Sequence, residues 1–478
     1  MKPTKADTSN FDQVLSARQV EGLITSGHSI IILDQKVLKV DAWIKYHPGG
    51  HKTIEHMVGK DATDEITVFH SDETRSQMFR YQIGRIEGRW ENLVPPIQGG
   101  QHREYPKANG EASLQQSTPR LDSPCGLSFL DSLTVNEVVL TMDKYPSLDQ
   151  NTQDGITEKY RELHDKIQAE GLYDCNYTAY AWEFGRCSLI FGLMLLLLHA
   201  GWYCTSAICL GWFWSQLVFA AHDSGHMGIT HNLTIDSLIG MIIAAPIGGL
   251  SLGWWKRTHN VHHIVTNAPE HDPDNQHLPF FAVNHRFLGS LFSTYHERLM
   301  SYDAVGRHLH RWFEIVGNLV FWYWFGYRLV YKSIPTAWAR FTFVMVSHMV
   351  TMPLHVQFTL SHFAMSTTDL GPTESFPQKM LRTTMDIDCP EWLDFLRGGL
   401  QFQAIHHLFP RVPRHNLRRT QKLVLQFCRE VGIPYALYGF VGGNRKVVGS
   451  LAEVSRQAAI LAHCQRTIAK RGDLIHGR

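Results

Sequence analysis

"CSLIFGLMLLLLHAGWYCTSAICLGWFWSQLVFAAH", Cys187 to His222, runs for 36 residues without a Lys, Arg, Asp or Glu. About 20 apolar residues carry a helix across the hydrocarbon core of a bilayer. The stretch therefore suits two crossings joined tightly near Trp202 to Ser206. A soluble protein with buried helices is the competing reading, and a slightly negative mean hydropathy favours it. An uninterrupted run of this length favours the membrane.

Further on, Ser237 to Trp255 is a second charge-free run, of 19 residues. It contains Pro246 and four glycines (Gly240, Gly248, Gly249 and Gly253), so it reads as interfacial or re-entrant. Two more crossings are expected near Trp312 to Tyr327 and Phe341 to Thr359. Four crossings leave both chain ends on one side. Residues 411–478 carry 13 Lys/Arg against 3 Asp/Glu, which suits the cytosolic side. Arg328, Lys332 and Arg340, on the loop expected to face away, disagree mildly.

Before the run, residues 150–185 are charged and helical in pattern, and Pro, Gln, Gly and Ser dominate from Glu91 to about Leu121. Residues 11–90 alternate short apolar runs with charged helical stretches. The expected organisation is an α+β domain (11–90), a linker (91–150) and an all-α multi-pass membrane domain (151–478) with interfacial helices.

Lys plus Arg is 45 and Asp plus Glu is 44, which offers no argument for nucleic acid. The eight cysteines form no CxxC pair, so they read as reduced thiols. The polar start, "MKPTKADTSNFD", is not a secretory signal. The 28 histidines outnumber the 20 prolines, so histidine chemistry is the natural suspicion.

Three clusters stand out: "HDSGH" (His222, His226), "HNVHH" (His259, His262, His263) and "QAIHH" (Gln403, His406, His407). Residues spaced i, i+3 and i+4 share a helix face. The crossing parity puts all three on one side of the membrane. A single HxxxH is more often structural than ligating, but three clusters converging suggest a polynuclear site. Neutral imidazole suits iron, zinc or copper, and seven histidines exceed what one ion needs. In "WWKRTHNVHHIVTNAPEHDPD", Trp254 and Trp255 are expected at the interface, with Lys256 and Arg257 facing headgroups. The carboxylates of Glu270 to Asp274 either orient ligand imidazoles or are solvated.

Near the front, "YHPGG" (Tyr46–Gly50) and "GKDATDEITVFH" (Gly59–His70) offer two histidines able to clamp a haem from both faces. A haem so held carries electrons and has no open position for dioxygen. A lone HPGG could equally be a turn with an exposed histidine.

Residues 11–89, with "HPGG", "GKDAT", "FH" and "IGRIEG" in order, resemble the cytochrome b5 fold. The resemblance implies haem b with His47 and His70 as axial ligands. Their spacing is one residue shorter than in the soluble carriers, and His51 and His56 are expected at the surface.

The chain as a whole resembles the membrane fatty-acyl and sphingolipid desaturases. The fused cytochrome b5-like domain and the Gln heading the third cluster mark the front-end branch. "HDSGHMGITHN", "GGLSLGWWKRTHNVHHIVTNAPEHDPD" and "GGLQFQAIHHLFPRVPRHNLR" look most like the fungal delta-8 sphingolipid desaturases. That likeness implies two non-haem irons held by the seven cluster histidines, with His362 of "FTLSHF" as a further ligand. Gln403 either coordinates or hydrogen-bonds. It further implies oxygen-dependent removal of two hydrogens from a lipid chain, with O2 as oxidant. Electrons would come from a separate NAD(P)H-dependent cytochrome b5 reductase, at the endoplasmic reticulum with a cytosolic active site. The lipid is a ceramide or sphingoid base, cut at carbons 8 and 9. Three alternatives remain: a front-end acyl (delta-5 or delta-6) desaturase, a lipid hydroxylase, or a non-catalytic haem-binding adaptor. His355 could support His362. His199 and His348 read as membrane residues, while His231, His271 and His277 flank the clusters.

Overall fold

The computed structural model describes residues 12–100, 125–276 and 308–476. His277 lies outside these residues, as do residues 101–124 of the expected linker and the extreme termini. The N-terminal unit is built on an antiparallel three-stranded sheet, β1 (Ile30–Leu33), β2 (Lys36–Lys39) and β3 (Gln82–Arg85), in that order. Four helices surround it: α1 (Ala17–Thr25), α2 (His51–Glu55), α3 (Thr63–Phe69) and α4 (Asp72–Met78). Its core of Val20, Ile24, Ile30, Ile32, Val37 and Trp90 extends to Leu93, which joins the domain by a hydrogen bond to the Gly59 carbonyl.

The second half of the expected linker contains helix α5 (Cys125–Lys144). "SLTVNEVVLTM" supplies enough apolar residues to prefer a helix there. Helix α6 (Gln150–Ala169) puts Ile156, Tyr160, Leu163 and Ile167 into a core shared with the C-terminal helices.

The charge-free run forms the ends of α7 (Tyr177–His199) and α8 (Tyr203–Gly225), with the break at Ala200 to Trp202. Among the described residues, three helical runs are long and apolar enough to cross a membrane: α7, α8 and Ala337–His362. The last is α12 (Ala337–Met349) followed by α13 (Met352–His362). Leu233–Ile247 and Leu252–Ile264 form a pair bent by 118°. The bend falls within Ser237 to Trp255, the run read as interfacial or re-entrant; Pro246 interrupts the hydrogen-bond ladder, and Gly249 adopts a left-handed φ of 68°. Its arms are α9 (Leu233–Ile242), with a π turn at its end, and α10 (Leu252–Ile264).

The crossing expected near Trp312 is a continuous helix, but it falls short by composition. It runs as α11 (His308–Phe321) and then a π segment, Trp322–Lys332. Glu314 lowers its apolarity, and the reason is local. Its carboxylate accepts from Ser251 Oγ at 2.7 Å and Gly253 N at 2.8 Å, capping α10. The outward side of this helix bears Trp312, Ile315, Val316, Leu319 and Trp322, all exposed.

Beyond the membrane helices come α14 (Phe376–Thr383), β4 (Asp386–Asp388), α15 (Gln403–Leu408), α16 (Leu417–Val431), β5 (Leu437–Gly439, parallel to β4) and the long α17 (Phe440–His476).

The N-terminal unit is seated on the second. Helix α2 packs on α10, and Ile54, Met57 and Ala62 share one apolar cluster with Val261, Ile264 and Val265. Asp64 pairs with Arg161 at 2.7 Å, and Arg89 with Asp154 at 2.8 Å. Asn92 Nδ2 donates to the Pro372 carbonyl at 3.2 Å. This seating overturns one expectation. His56 is buried; its ring meets His271 at 5.5 Å and Gln98 Nε2 lies 2.9 Å from its Nδ1.

Candidate metal centre

Three helix ends bring the clusters together. His222 and His226 lie on the last turn of α8 and at its C-cap, His259, His262 and His263 on the second half of α10, and His406 and His407 on α15. The ligand nitrogens of His222, His226, His259 and His406 all lie within 4.8 Å of one another. Those of His262, His362 and His407 form a second such group. The ring of His263 stands between the two, 4.7 Å from His226 and 4.2 Å from His407. All eight histidines named from sequence are thus brought together. Gln403 is buried at the first residue of α15.

The donor set fits metal ions. His226 Nε2, His263 Nδ1, His406 Nε2 and His407 Nε2 are buried without a hydrogen-bond partner among the described residues. Such polar atoms are costly unless something outside the protein satisfies them. His222 Nε2 and His259 Nε2 are 3.3 Å apart, near the roughly 3 Å expected of imidazoles each about 2 Å from one shared ion. Burial, reinforced by neighbouring imidazoles, holds His406 and His407 well below the ordinary histidine range, so both are neutral and able to ligate.

A surrounding set of residues fixes the rings. Asp272, wholly buried, accepts the Nδ1–H of His262 with both oxygens at 2.9 Å, which leaves Nε2 as the ligating nitrogen. Asp274 lies 3.6 Å from the Nδ1 of both His259 and His262. Thr266 Oγ1 meets His407 Nδ1 at 3.1 Å. Trp255 stacks on His259 at 4.5 Å; it faces the cluster, where a place at the membrane interface was expected, and Trp254 alone is exposed. Asp223, between the first two histidines, accepts from Tyr180 and from Arg414, which also pairs with Glu183. Asp386 accepts from Ala404 N at 2.8 Å and so anchors the start of α15.

Lys256 and Arg257 also differ from expectation. Lys256 is buried, and the stem of Arg257 packs against Gly50. His355 and His348 are exposed, and neither supports the site; His348 bonds its own helix at the Val344 carbonyl. His199 is exposed, and His231 bonds the Tyr173 carbonyl.

In the N-terminal unit the rings of His47 and His70 face each other with centroids 6.1 Å apart. His47 Nδ1 bonds the Gly50 carbonyl at 2.9 Å and His70 Nδ1 the Ile66 carbonyl at 3.0 Å, so each Nε2 keeps its lone pair. Burial lowers both rings, His70 to about 3. A Cβ at Gly49 would stand 2.8 Å from the His47 ring and 3.0 Å from Asn260 Nδ2, so only glycine fits. Phe69, next to His70, puts its ring edge-on to His263 at 5.7 Å.

Known proteins carry the same arrangement of parts. Residues 197–439 match the family described as Fatty acid desaturase, and residues 16–87 match the Cytochrome b5-like Heme/Steroid binding domain. The Delta 8-(E)-sphingolipid desaturase of Emericella nidulans is 52% identical over 96% of this chain and 98% of its own length. Its namesake from Kluyveromyces lactis is 44% identical over 96% of each chain. The Delta(8)-fatty-acid desaturase 1 of Arabidopsis thaliana is 29% identical over 92% of each.

Proposed function

The chain belongs to the fatty acid desaturase family, in the form fused to a cytochrome b5-like domain, and from that premise we propose that it places a trans double bond between carbons 8 and 9 of a ceramide's long-chain base. The observation that carries this reading is the pair of adjoining imidazole groups beside a seated electron-carrier domain. Its relatives over nearly their whole length bear the delta-8 name.

His222, His226, His259 and His406 would hold one iron, and His262, His362 and His407 the other. His263 lies between them, and Gln403 supports the third cluster. His47 and His70 would hold haem b. No acid or base side chain can activate an unactivated methylene, and the iron pair supplies the oxygen-dependent redox chemistry for that step. The protein's own work is to hold and orient. Asp272 and Asp274 fix the tautomers of the α10 histidines. Trp255 walls the site on one side. Phe69 closes the gap between His70 and His263, giving electrons a short path. The expected supply is NAD(P)H through a separate cytochrome b5 reductase, with O2 as oxidant.

The domain bounds are 11–90, 91–150 and 151–478. Four crossings, α7, α8, His308–Lys332 and Ala337–His362, leave the bent pair as a re-entrant element and both termini with the active site in the cytosol. The endoplasmic reticulum suits such a lipid enzyme.

The test is expression in a yeast lacking delta-8 bases, with mass spectrometry of hydrolysed sphingolipids and fatty-acid methyl esters. A new diene base with unchanged fatty acids is expected. New polyunsaturated acyl chains would move the assignment to the acyl desaturases, and a hydroxylated base to the hydroxylases. A protein binding haem but no other iron would be the adaptor.

A further inference from the structure

Lys256 carries a charge that nothing in the described site answers. It is 9% exposed, and its Nζ is buried without a hydrogen-bond partner among the described residues. Asp236 is the acid whose field reaches it, but that carboxylate already accepts Thr230 N and Thr230 Oγ1. Burial lowers Lys256 to about 8, because a buried ammonium without a paired anion is costly; an anionic group from outside the chain would hold the proton in place.

Its position narrows the choice. Lys256 lies one helical turn before Asn260, on the face that meets the HPGG loop. Asn260 abuts Gly49, and the neighbouring Arg257 packs its stem on Gly50. The cation therefore stands beside the loop that carries His47, on the helix that also carries the HNVHH cluster and packs on α2. Apolar Val261, Ile264 and Val265 of the same stretch pack against Ile54, Met57 and Ala62 of the N-terminal unit. A b-type haem carries two carboxylates on one edge, which is the kind of anion that this cation would pair with.

We propose that Lys256 is a haem-carboxylate site: its ammonium pairs with a propionate of the haem held between His47 and His70, and so ties the cofactor's edge to the helix that carries the HNVHH cluster. The proposal rests on the reading that those two histidines hold the haem. It gives the seating of the electron carrier a polar lock beside the apolar contacts, and it fixes the haem edge toward the iron-binding side. A charged group is thereby paired in a place where water is excluded.

The experiment uses the full-length protein in detergent, loaded with native haem or with haem dimethyl ester, which lacks the carboxylates. The readout is the rate of haem transfer to excess apomyoglobin. The bis-imidazole absorption spectrum and the iron content serve as controls for fold. With native haem, Lys256→Met should release the cofactor about tenfold faster or more, the loss expected of a hydrogen bond to a charged group. Lys256→Arg should stay near wild type. The dimethyl ester should leave wild-type protein about tenfold faster, and Lys256→Met should add nothing to that. Unchanged release of native haem from Lys256→Met overturns the proposal. So does equal acceleration by that variant with both haems, because the lysine would then act by packing, or would answer a lipid anion. If Lys256→Met does not fold, equal release of both haems from wild type overturns it. The underlying reading fails differently: His47→Ala or His70→Ala would retain the bis-imidazole spectrum.

Discussion

Replacing Asp272 by Asn tests the metal centre at its best-defined hydrogen bond. The carboxylate is fully buried and holds the His262 Nδ1–H between two oxygens, each at 2.9 Å. It also accepts Asn267 N at 2.7 Å and Asp274 N at 2.9 Å, so alanine would collapse the loop as well. Asparagine keeps the shape and one acceptor oxygen. Its NH2 group would face the His262 Nδ1–H donor, and relief comes by turning the ring to the other tautomer. The proton would then sit on Nε2, toward His362 and His407, where a ligand lone pair is needed. A hydrogen bond to a charged group contributes about 1.5–3 kcal/mol, and loss of such a supporting partner typically weakens metal binding about 10–100-fold. The iron of the His262, His362 and His407 group should be lost at chelator concentrations that leave the other in place. Metal analysis across a chelator titration would show a plateau near one non-haem iron per chain beside the haem iron, with turnover falling in step. Two non-haem irons held as tightly as in wild type, with full turnover, would refute the assignment of Asp272 as the group that sets this tautomer.

Three further outcomes are expected. Gly225→Ala drives a methyl into the Trp255 ring; overpacking costs about 1–3 kcal/mol, and displacement of the indole that stacks on His259 should lower turnover as well as the thermal midpoint. Burial pushes Asp386 from 3.8 up to about 7, so the folded state keeps a proton that the unfolded chain has released. Its contribution to stability therefore falls as pH rises from about 4 to 7, and Asp386→Asn should flatten that part of a thermal-midpoint profile. The sequons at Asn176 and Asn232, which cap α7 and α9, should remain unglycosylated in a eukaryotic host; glycan on either would break the four-crossing topology.

Much of this arrangement was legible because its signals are local. The charge-free run gave α7 and α8, Pro246 and its glycines gave the turning-back, and the i, i+3, i+4 spacings gave each cluster its face. The contacts that join distant segments were not legible. The pairing of Asp223 with Arg414, and of Asp386 with Ala404, links residues whose separation in sequence is set by folding alone. Glu314 made a helix look less like a crossing because a carboxylate that caps a neighbouring helix carries the same hydropathy as a solvated one. Residue type places Lys256 and His56 at the surface, and the fold buries both. The carboxylates of "EHDPD" were legible as an outer group because three acids lie near a cluster on the same chain, whereas His355, another residue offered for that role, is exposed.

That seating also has a consequence for how the protein is made. Domains emerge and fold from the N-terminus at about 5–20 residues per second. The cytochrome b5-like unit is complete near Leu93, whereas Val261, Ile264 and Val265 of its seat leave the ribosome roughly ten to thirty-five seconds later. During that interval Ile54, Met57, Ile66 and Phe69 have no helix to cover them, while membrane insertion of the next two helices proceeds.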